Sequence, residues 1–213
     1  MSESRLVEEE AARSRGERTA ERLREAARQA FAELGWRATR VEDIVQRAGV
    51  SHGTFYTYYD NKAAILSALV EDSEAAFAAL AAAPWEADDV RGALERVIGG
   101  FLERYRADAM VMRTWLQAAR DERGFTRLYV DSRALFVDRV ADHVAAAVAA
   151  SGREAVPHPQ TLASSLVAMV EHFAYCWLVL GEDHDADEAV GSLVLVWGAT
   201  LNALTGFEVV KLS

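Results

Sequence analysis

The sequence has little cysteine and little proline, and both scarcities limit the kind of protein it can be. Cys176 is the one cysteine in 213 residues, so no disulfide can form within the chain, and a reducing, cytoplasmic location is expected. The prolines, Pro84, Pro157 and Pro159, leave long stretches without a helix breaker. No stretch alternates apolar and polar residues as a half-buried strand does. Since 51% of the residues are hydrophobic, the sequence predicts an all-α protein with a substantial core.

Motifs that carry enzyme chemistry are also missing. There is no nucleophile elbow, phosphate loop, dinucleotide fingerprint or HExxH pair, so neither an enzyme nor a cofactor is expected. The acidic run that contains Asp183, His184, Asp185 and Asp187 matches neither zinc nor EF-hand spacing, and no metal is expected there. We interpret this run as a solvated loop whose acids stabilise the start of the following helix.

Nothing in the sequence predicts a membrane protein or a secreted one. No basic start followed by an apolar run marks a secretory signal. The longest apolar stretch, residues 162–180, is long enough to span a bilayer, but it carries Ser164, Ser165, Glu171 and His172. A buried helix is therefore expected.

The net charge of −10 is unevenly distributed along the chain. Residues 11–62 contain ten Lys and Arg and seven acids, whereas residues 63–213 contain twelve Lys and Arg and twenty-two acids. A mildly basic first region followed by an acidic one would confine contact with a polyanion to one part of the molecule. It also predicts modest non-specific affinity for nucleic acid.

Residues 39–62 predict two short helices joined by a tight turn and followed by a third helix. Thr39 and Glu42 have the spacing of a capping box at the start of the first helix, residues 41–48. Gly49 supplies a left-handed turn, and Ser51 is the expected N-cap of the second helix, residues 52–58. That helix presents hydrogen-bonding groups outward: His52, Thr54, Tyr56 and Thr57. It suits the major groove of DNA, although turn chemistry alone leaves a protein-binding helical hairpin as an equal alternative.

The same residues resemble the DNA-binding part of TetR-family repressors. The resemblance covers about residues 19–66 and is carried by AGVSHGTFYTYYDNKAAIL, preceded by FAELGWRATRVEDIV. Two positions depart from the family pattern: Arg40 stands where Ser or Thr is usual, and Tyr59 where Phe is usual. The resemblance implies a DNA-binding regulator and disfavours the protein-binding alternative.

The resemblance also implies which side chains meet DNA. The groove candidates are Ser51, His52, Thr54 and Tyr56, and Gly53 lets the backbone approach closely. The phosphate candidates are Thr39, Arg40, Tyr58 and Lys62. Phosphate contacts position the protein, whereas contacts to base edges select sequence. Phe55, and by extension Tyr59, are expected to pack inward.

Apolar periodicity and turn residues predict the remaining organisation. Residues 1–15 are expected to be a disordered arm, residues 16–62 a helix-turn-helix DNA-binding domain, and residues 63–213 an effector-binding and dimerisation domain. Further helices are expected at about 18–34, 61–82, 88–107, 109–120, 125–150, 159–180 and 186–205. The helix from residue 61 has no break, so we expect it to join the two domains rigidly.

The last two predicted helices, about 160–180 and 186–205, are apolar on more than one side. Such helices must be buried on two sides, one by their own domain and the other by a second copy of the chain. The pattern therefore predicts a homodimer through a four-helix interface, in agreement with what the TetR resemblance implies.

The aromatic side chains of the second domain have two interpretations. Plain core packing is favoured for any one of them, but TetR relatives hold an effector cavity among their central helices. The cavity candidates are Phe101, Tyr105, Met112, Trp115, Phe125, Tyr129, Met169 and Phe173. For the mid-helix Glu171 and His172 we favour pairing with an Arg or a place at the dimer seam, and contact with an effector is the alternative. Since no basic cluster accompanies them, a small lipophilic effector is expected.

The sequence thus predicts a ligand-responsive, homodimeric transcriptional regulator, expected to be a repressor, that binds a palindromic DNA operator. The alternative is a small-molecule binding or sequestering protein with a vestigial DNA-binding domain.

Overall fold

The computed structural model describes residues 3–85 and 89–211, and the side chains from residue 14 onward. In these ranges every regular element is an α-helix, which confirms the predicted all-α class. The helices are α1 (Glu3–Ala38), α2 (Val41–Ala48), α3 (His52–Tyr58), α4 (Lys62–Ala81), α5 (Val90–Ala107), α6 (Ala109–Asp121), α7 (Arg123–Ala150), α8 (Pro159–Leu178) and α9 (Ala186–Thr205).

The first helix is longer than the sequence pattern predicts. It begins at Glu3, so residues 3–15 of the expected disordered arm are helical, and residues 1 and 2 lie outside the described ranges. Ala, Glu and Arg dominate this segment, and their high helix propensity can extend a helix without an apolar stripe. Gly35, at φ 73° and ψ 174°, interrupts α1 one turn before its end.

The chain divides into two compact units whose boundaries differ from the predicted residue 62. Unit 1 comprises Met1–Asp72 and Met110–Glu122, and unit 2 comprises Ser73–Ala109 and Arg123–Ser213. Helix α4 therefore begins in unit 1 and ends in unit 2, and α6 groups with the N-terminal helices. The functional division at residue 62 stays a prediction.

The core of unit 1 is built from the inward faces of α1 to α4. Its fully buried side chains include Leu23, Phe31, Ile44, Phe55 and Leu66. Burial of each such side chain contributes about 1.5–3 kcal/mol relative to exposure.

Side-chain bonds to the backbone fix the loops and helix ends of unit 1. Arg113 Nη2 donates to Ala32 O at 2.7 Å, and Trp36 N donates to Gln117 Oε1 at 3.0 Å. The guanidinium of Arg37 donates to Asp121 at 2.6 and 2.8 Å. Helix α6 is thereby tied to the last turns of α1.

Unit 2 packs α5, α7, α8 and α9 around an apolar core. Leu94 and Ile98 of α5, Val144 of α7, Val167 of α8 and Leu193 of α9 are all buried. The last turns of α4 contribute Phe77, whose ring centroid lies 4.8 Å from that of Phe101. Along α5 the buried Leu94, Ile98 and Phe101 are spaced at four, three and seven, which is the periodicity that predicted this helix.

Helix α9 is the one candidate membrane span in the described ranges, by length and composition alone. Its inward side nevertheless packs in unit 2, where Leu193, Val194, Trp197 and Leu201 are buried. Core helices of globular proteins have the same composition, so this feature alone is weak evidence for a membrane.

Candidate nucleic-acid interface

The turn between α2 and α3 has the predicted chemistry. Gly49 ends α2 in the left-handed region at φ 62°, and its N–H bonds back to the last turn of the helix. Ser51 is the N-cap of α3, because its Oγ accepts from Thr54 N at 3.0 Å. The Ser51 and Thr54 hydroxyls also lie 2.9 Å apart. The Gly49 turn and the Ser51 N-cap therefore determine where α3 begins after α2.

The start of α2 differs from the prediction, and the proposed capping box of Thr39 and Glu42 is wrong. The N-cap is Arg40, whose backbone N–H donates to Asp43 Oδ2 at 2.8 Å. Thr39 is 1% exposed, and its hydroxyl donates to Gly35 O at 2.7 Å. Its side chain closes the end of α1, and its expected contact with a phosphate stays a prediction.

Helix α3 has one buried residue and otherwise faces outward. Phe55 is fully buried, as predicted, whereas Tyr56 is 56% exposed. Ser51, His52 and Gly53 are exposed, and Thr54 is half-buried. The structure thus places the groove candidates on one short surface. Their contacts to bases stay a prediction.

The two tyrosines after Thr57 are less exposed than Tyr56. Tyr58 is half-buried, with its hydroxyl against Gly16 of α1. Tyr59 is also half-buried; burial raises the pKa of its hydroxyl, and the opposing effect comes from Arg24, which bonds to it. The expectation that Tyr59 packs inward is therefore confirmed.

Lys62 bonds to the protein backbone, and its expected contact with a phosphate stays a prediction. Its Nζ donates to Trp36 O at 2.7 Å and to Thr39 O at 2.9 Å. The ammonium also lies 4.4 Å from the centre of the Trp36 ring. Burial lowers the pKa of this ammonium, with a smaller opposing effect from the Glu122 charge. Two of its three N–H donors bond to carbonyls at the end of α1. The sequence around Lys62 does not indicate these partners.

Among the phosphate candidates, Arg40 alone is a cation on the surface. Its side chain is exposed beside the start of α2. By contrast, Arg22 donates to Ala48 O and Gly49 O, and Arg47 pairs with Glu33. Some of the positively charged side chains of the region therefore hold α2 in place.

Sequence reasoning missed a side-chain contact on the outward side of the two helices. Glu42 Oε1 of α2 lies 3.3 Å from His52 Nε2 of α3, and both side chains are more than half exposed. The pKa of the Glu42 carboxyl is lowered, first by its own backbone N–H; burial opposes this effect, and His52 and Arg40 lower the pKa further. The available signal was an acid in the first turn of α2, ten residues before the first residue of α3.

The N-terminal sequence matches a known family. Residues 23–69 match the model of the bacterial regulatory proteins of the tetR family. The match covers the later part of α1, the whole of α2 and α3 with the Gly49 turn, and the start of α4. Residues 23–69 of this chain form a DNA-binding domain of the TetR type. The DNA-binding, helix-turn-helix character of this region follows from that match.

Solved structures of TetR-family regulators share the fold. One from Rhodococcus sp. is 21% identical with a TM-score of 0.69, covering 88% of this chain and 99% of that one. One from Syntrophomonas wolfei str. Goettingen is 16% identical with a TM-score of 0.71, covering 87% and 95%. The fatty acid degradation regulator FadR from Bacillus halodurans is 17% identical with a TM-score of 0.70, covering 84% and 93%. At these identities the likeness shows the fold alone. No curated protein matches the chain at a significant level.

The cavity candidates fall in both units. Phe101, Tyr105, Phe125, Tyr129, Met169 and Phe173 belong to unit 2, whereas Met112 and Trp115 belong to unit 1. Phe101 and Tyr105 are in ring contact at 5.8 Å. Phe173 instead contacts Trp177 and His184, at 6.0 and 5.0 Å. A cavity lined by all eight residues stays a prediction.

Glu171 pairs with an arginine, which confirms the favoured interpretation. Arg133 Nε donates to Glu171 Oε2 at 2.9 Å, and its two Nη atoms donate to Ser164 Oγ and O at 3.0 and 2.8 Å. Burial raises the pKa of the Glu171 carboxyl, and Arg133 opposes that effect. His172 faces outward on α8, with its Nε2 3.6 Å from Cys176 Sγ.

The acidic run before α9 is a capping loop, as predicted. Asp185 is the N-cap, and its Oδ1 accepts from Asp187 N and Glu188 N at 2.9 and 3.1 Å. Within the described ranges no group of three potential ligands is placed to hold a metal ion.

Proposed function

We propose that this regulator is a cytoplasmic, homodimeric repressor that binds a palindromic operator and is released by a small lipophilic effector. The proposal rests on which residues of α3 are buried and which are exposed. One residue, Phe55, is buried, and the outward side presents Ser51, His52, Thr54 and Tyr56 without any cation. A short polar helix held by a glycine turn and an N-cap fits the major groove.

In the proposed interface, different residues contact the bases and the phosphates. Ser51, His52, Thr54 and Tyr56 read base edges, and Gly53 lets the backbone approach. Arg40 and Tyr58 contact phosphates. Because Arg40 is the one exposed cation among the phosphate candidates, the salt dependence of binding is expected to be shallow for a DNA-binding protein.

The proposed dimer interface uses the outward faces of α8 and α9. Leu195 and Val196 of α9 are 46% and 45% exposed, next to the buried Leu193 and Val194. On α8, the residues at 165, 168 and 172 are exposed at spacings of three and four. Pairing α8 and α9 with their copies would cover these side chains and give the two-fold symmetry that a palindrome requires.

The proposed effector site lies among the aromatic side chains of unit 2. Tyr105 and Phe101 are buried there, and the Arg133 charge is already matched by Glu171. Because this pair leaves no unmatched positive charge, a lipophilic molecule fits the site better than a free anion. The fatty acid degradation regulator among the fold relatives supports the same choice.

The test is footprinting of the purified protein on the DNA upstream of its own gene. A protected, two-fold symmetric site is expected, and Tyr56→Ala should remove the protection while the variant stays folded. Unchanged affinity in that variant would count against the assignment of α3. Absence of any specific footprint at low salt would favour the alternative, a small-molecule sequestering protein with a vestigial DNA-binding domain.

A further inference from the structure

The pair formed by Glu42 and His52 links the two helices of the helix-turn-helix on its outward side. Glu42 lies in the first turn of α2, and His52 is the first residue of α3. The distance of 3.3 Å between Oε1 and Nε2 is within hydrogen-bonding range. A carboxylate can only accept, so in this contact the ring nitrogen Nε2 carries the hydrogen.

Fixing the hydrogen on Nε2 determines what the rest of the ring can do. A neutral imidazole has one donor and one acceptor, so Nδ1 is left as an acceptor. In the major groove the amino groups of adenine N6 and cytosine N4 are the donors that can meet an acceptor. Guanine presents acceptors there, which would require the opposite tautomer or a protonated ring.

We infer that Glu42 is a positioning residue that orients His52 to read the amino group of an adenine or a cytosine. This inference rests on the proposed function, in which His52 faces a base edge. Glu42 itself contacts no base. It acts through the tautomer and the orientation of the imidazole.

The contact between Glu42 and His52 adds little to stability. Both side chains are more than half exposed, and exposed pairs contribute about 0–1 kcal/mol to folding. A carboxylate close to the DNA also repels phosphates and lowers affinity for any sequence. Glu42 therefore opposes binding in general, and the compensating effect that we assign to it is selectivity.

The charge effect and the positioning effect can be separated by two substitutions at the same residue. Glu42→Gln removes the charge but keeps a side-chain oxygen that accepts from Nε2–H. Glu42→Ala removes both. Both variants are expected to bind DNA more tightly overall, because each lacks the repelling charge. Only Glu42→Ala is expected to lose selectivity.

The experiment measures the affinity of the full-length protein for its footprinted site and for a set with each base pair substituted in turn. His52→Ala is expected to flatten the preference at one base pair in each half-site, where the wild type discriminates about 5- to 150-fold. Glu42→Ala should flatten the same base pair, and Glu42→Gln should keep most of the preference. In the double variant the loss should equal that of His52→Ala alone, since the two residues act through one contact.

Base analogues identify the atom that is read. At that position an analogue lacking the exocyclic amino group should weaken wild-type binding and leave His52→Ala unaffected. A loss seen only with 7-deazapurines would overturn the inference, because N7 is an acceptor.

The outcomes distinguish this inference from the function on which it rests. If His52→Ala flattens a base pair and Glu42→Ala does not, the positioning role is overturned and the proposed function stands. If neither variant changes any preference while the footprint persists, the role of His52 in reading bases is overturned as well. If the wild type gives no specific footprint, the proposed function and the inference both fail.

Discussion

The two units use several of their cations in different ways. In unit 1, Lys62 and Arg113 donate to main-chain carbonyls at the end of α1, and Arg22 donates to those at the end of α2. In unit 2, Arg133 pairs with Glu171 in the middle of two helices, and Arg104 pairs with Asp108 at the end of α5. Cations of the first kind fix the loops from which α3 projects. Those of the second kind neutralise acids inside a packed bundle.

This difference explains how a DNA-binding region can be only mildly basic. Much of the positive charge near α3 is already committed to positioning the helices, so Arg40 is left as the surface cation among the predicted phosphate contacts. In the proposed interface, specificity then depends on hydrogen bonds and packing by α3 more than on charge. The following predictions test how far the comparison between the units holds.

The largest expected effect comes from Phe55, the buried anchor of α3. Phe55→Ala should destabilise unit 1 by about 3–5 kcal/mol, because it removes a fully buried ring and leaves a cavity. The neighbouring Tyr56 is the matched control: Tyr56→Ala should change stability by less than about 1 kcal/mol. Urea denaturation followed by tryptophan fluorescence measures both. A large destabilisation by Tyr56→Ala would show that this ring belongs to the core and not to the DNA surface.

The next effect concerns the ion pair of unit 2. Glu171→Ala leaves Arg133 without its carboxylate, and we expect a cost of about 2 kcal/mol, below the range of fully buried pairs because both side chains are about one quarter exposed. The double variant Arg133→Met with Glu171→Leu should be within about 1 kcal/mol of the wild type. Denaturation curves of the three proteins decide the matter. A double variant as unstable as Glu171→Ala would mean that the pair contributes more than mutual neutralisation.

Lys62 and Arg40 separate the structural cations from the DNA-binding ones. Lys62→Met keeps the apolar stem against Trp36 but loses two bonds to carbonyls, at an expected cost of about 1–2 kcal/mol. The salt dependence of its DNA binding should be unchanged. Arg40→Ala should leave stability unchanged and lower the slope of log affinity against log salt by about 1. If Lys62→Met lowers that slope, then Lys62 contacts a phosphate after all.

These residues also show what the sequence could and could not predict. The helices could be predicted because apolar spacing depends only on residues close together in the sequence. The turn at Gly49 and the N-cap at Ser51 could be predicted because each depends on the conformational preference of a single residue. The bonds of Thr39 and Lys62 could not be predicted, because their partners, the carbonyls of Gly35 and Trp36, are main-chain groups that look alike in any sequence. The contacts of Gln117 and Asp121 that join α6 to α1 span more than 80 residues, and no local pattern announces them.

The smallest expected effect is a pH dependence in unit 2, at Glu74. Burial raises the pKa of its carboxyl, the Glu171 charge adds to that effect, and a hydrogen bond from Ser132 opposes it. The folded pKa lies above the unfolded one, so the ionised form destabilises the native state at neutral pH. This penalty disappears as the pH falls through the folded pKa towards the unfolded value. Glu74→Gln should therefore be more stable than the wild type at pH 7, and its advantage should shrink on acidification.

Ser132→Ala provides the opposing control for Glu74. Removing the hydroxyl takes away the bond that favours the ionised carboxylate, so the wild type should be more stable than this variant at pH 7. The difference should again shrink as the pH falls, because the protonated carboxyl depends less on that donor. Urea midpoints of the three proteins measured between pH 4 and pH 8 test both expectations. A difference between Glu74→Gln and the wild type that is independent of pH would show that Glu74 is as well solvated in the folded chain as in the unfolded one, and that unit 2 tolerates a second acid beside Glu171 without neutralising it.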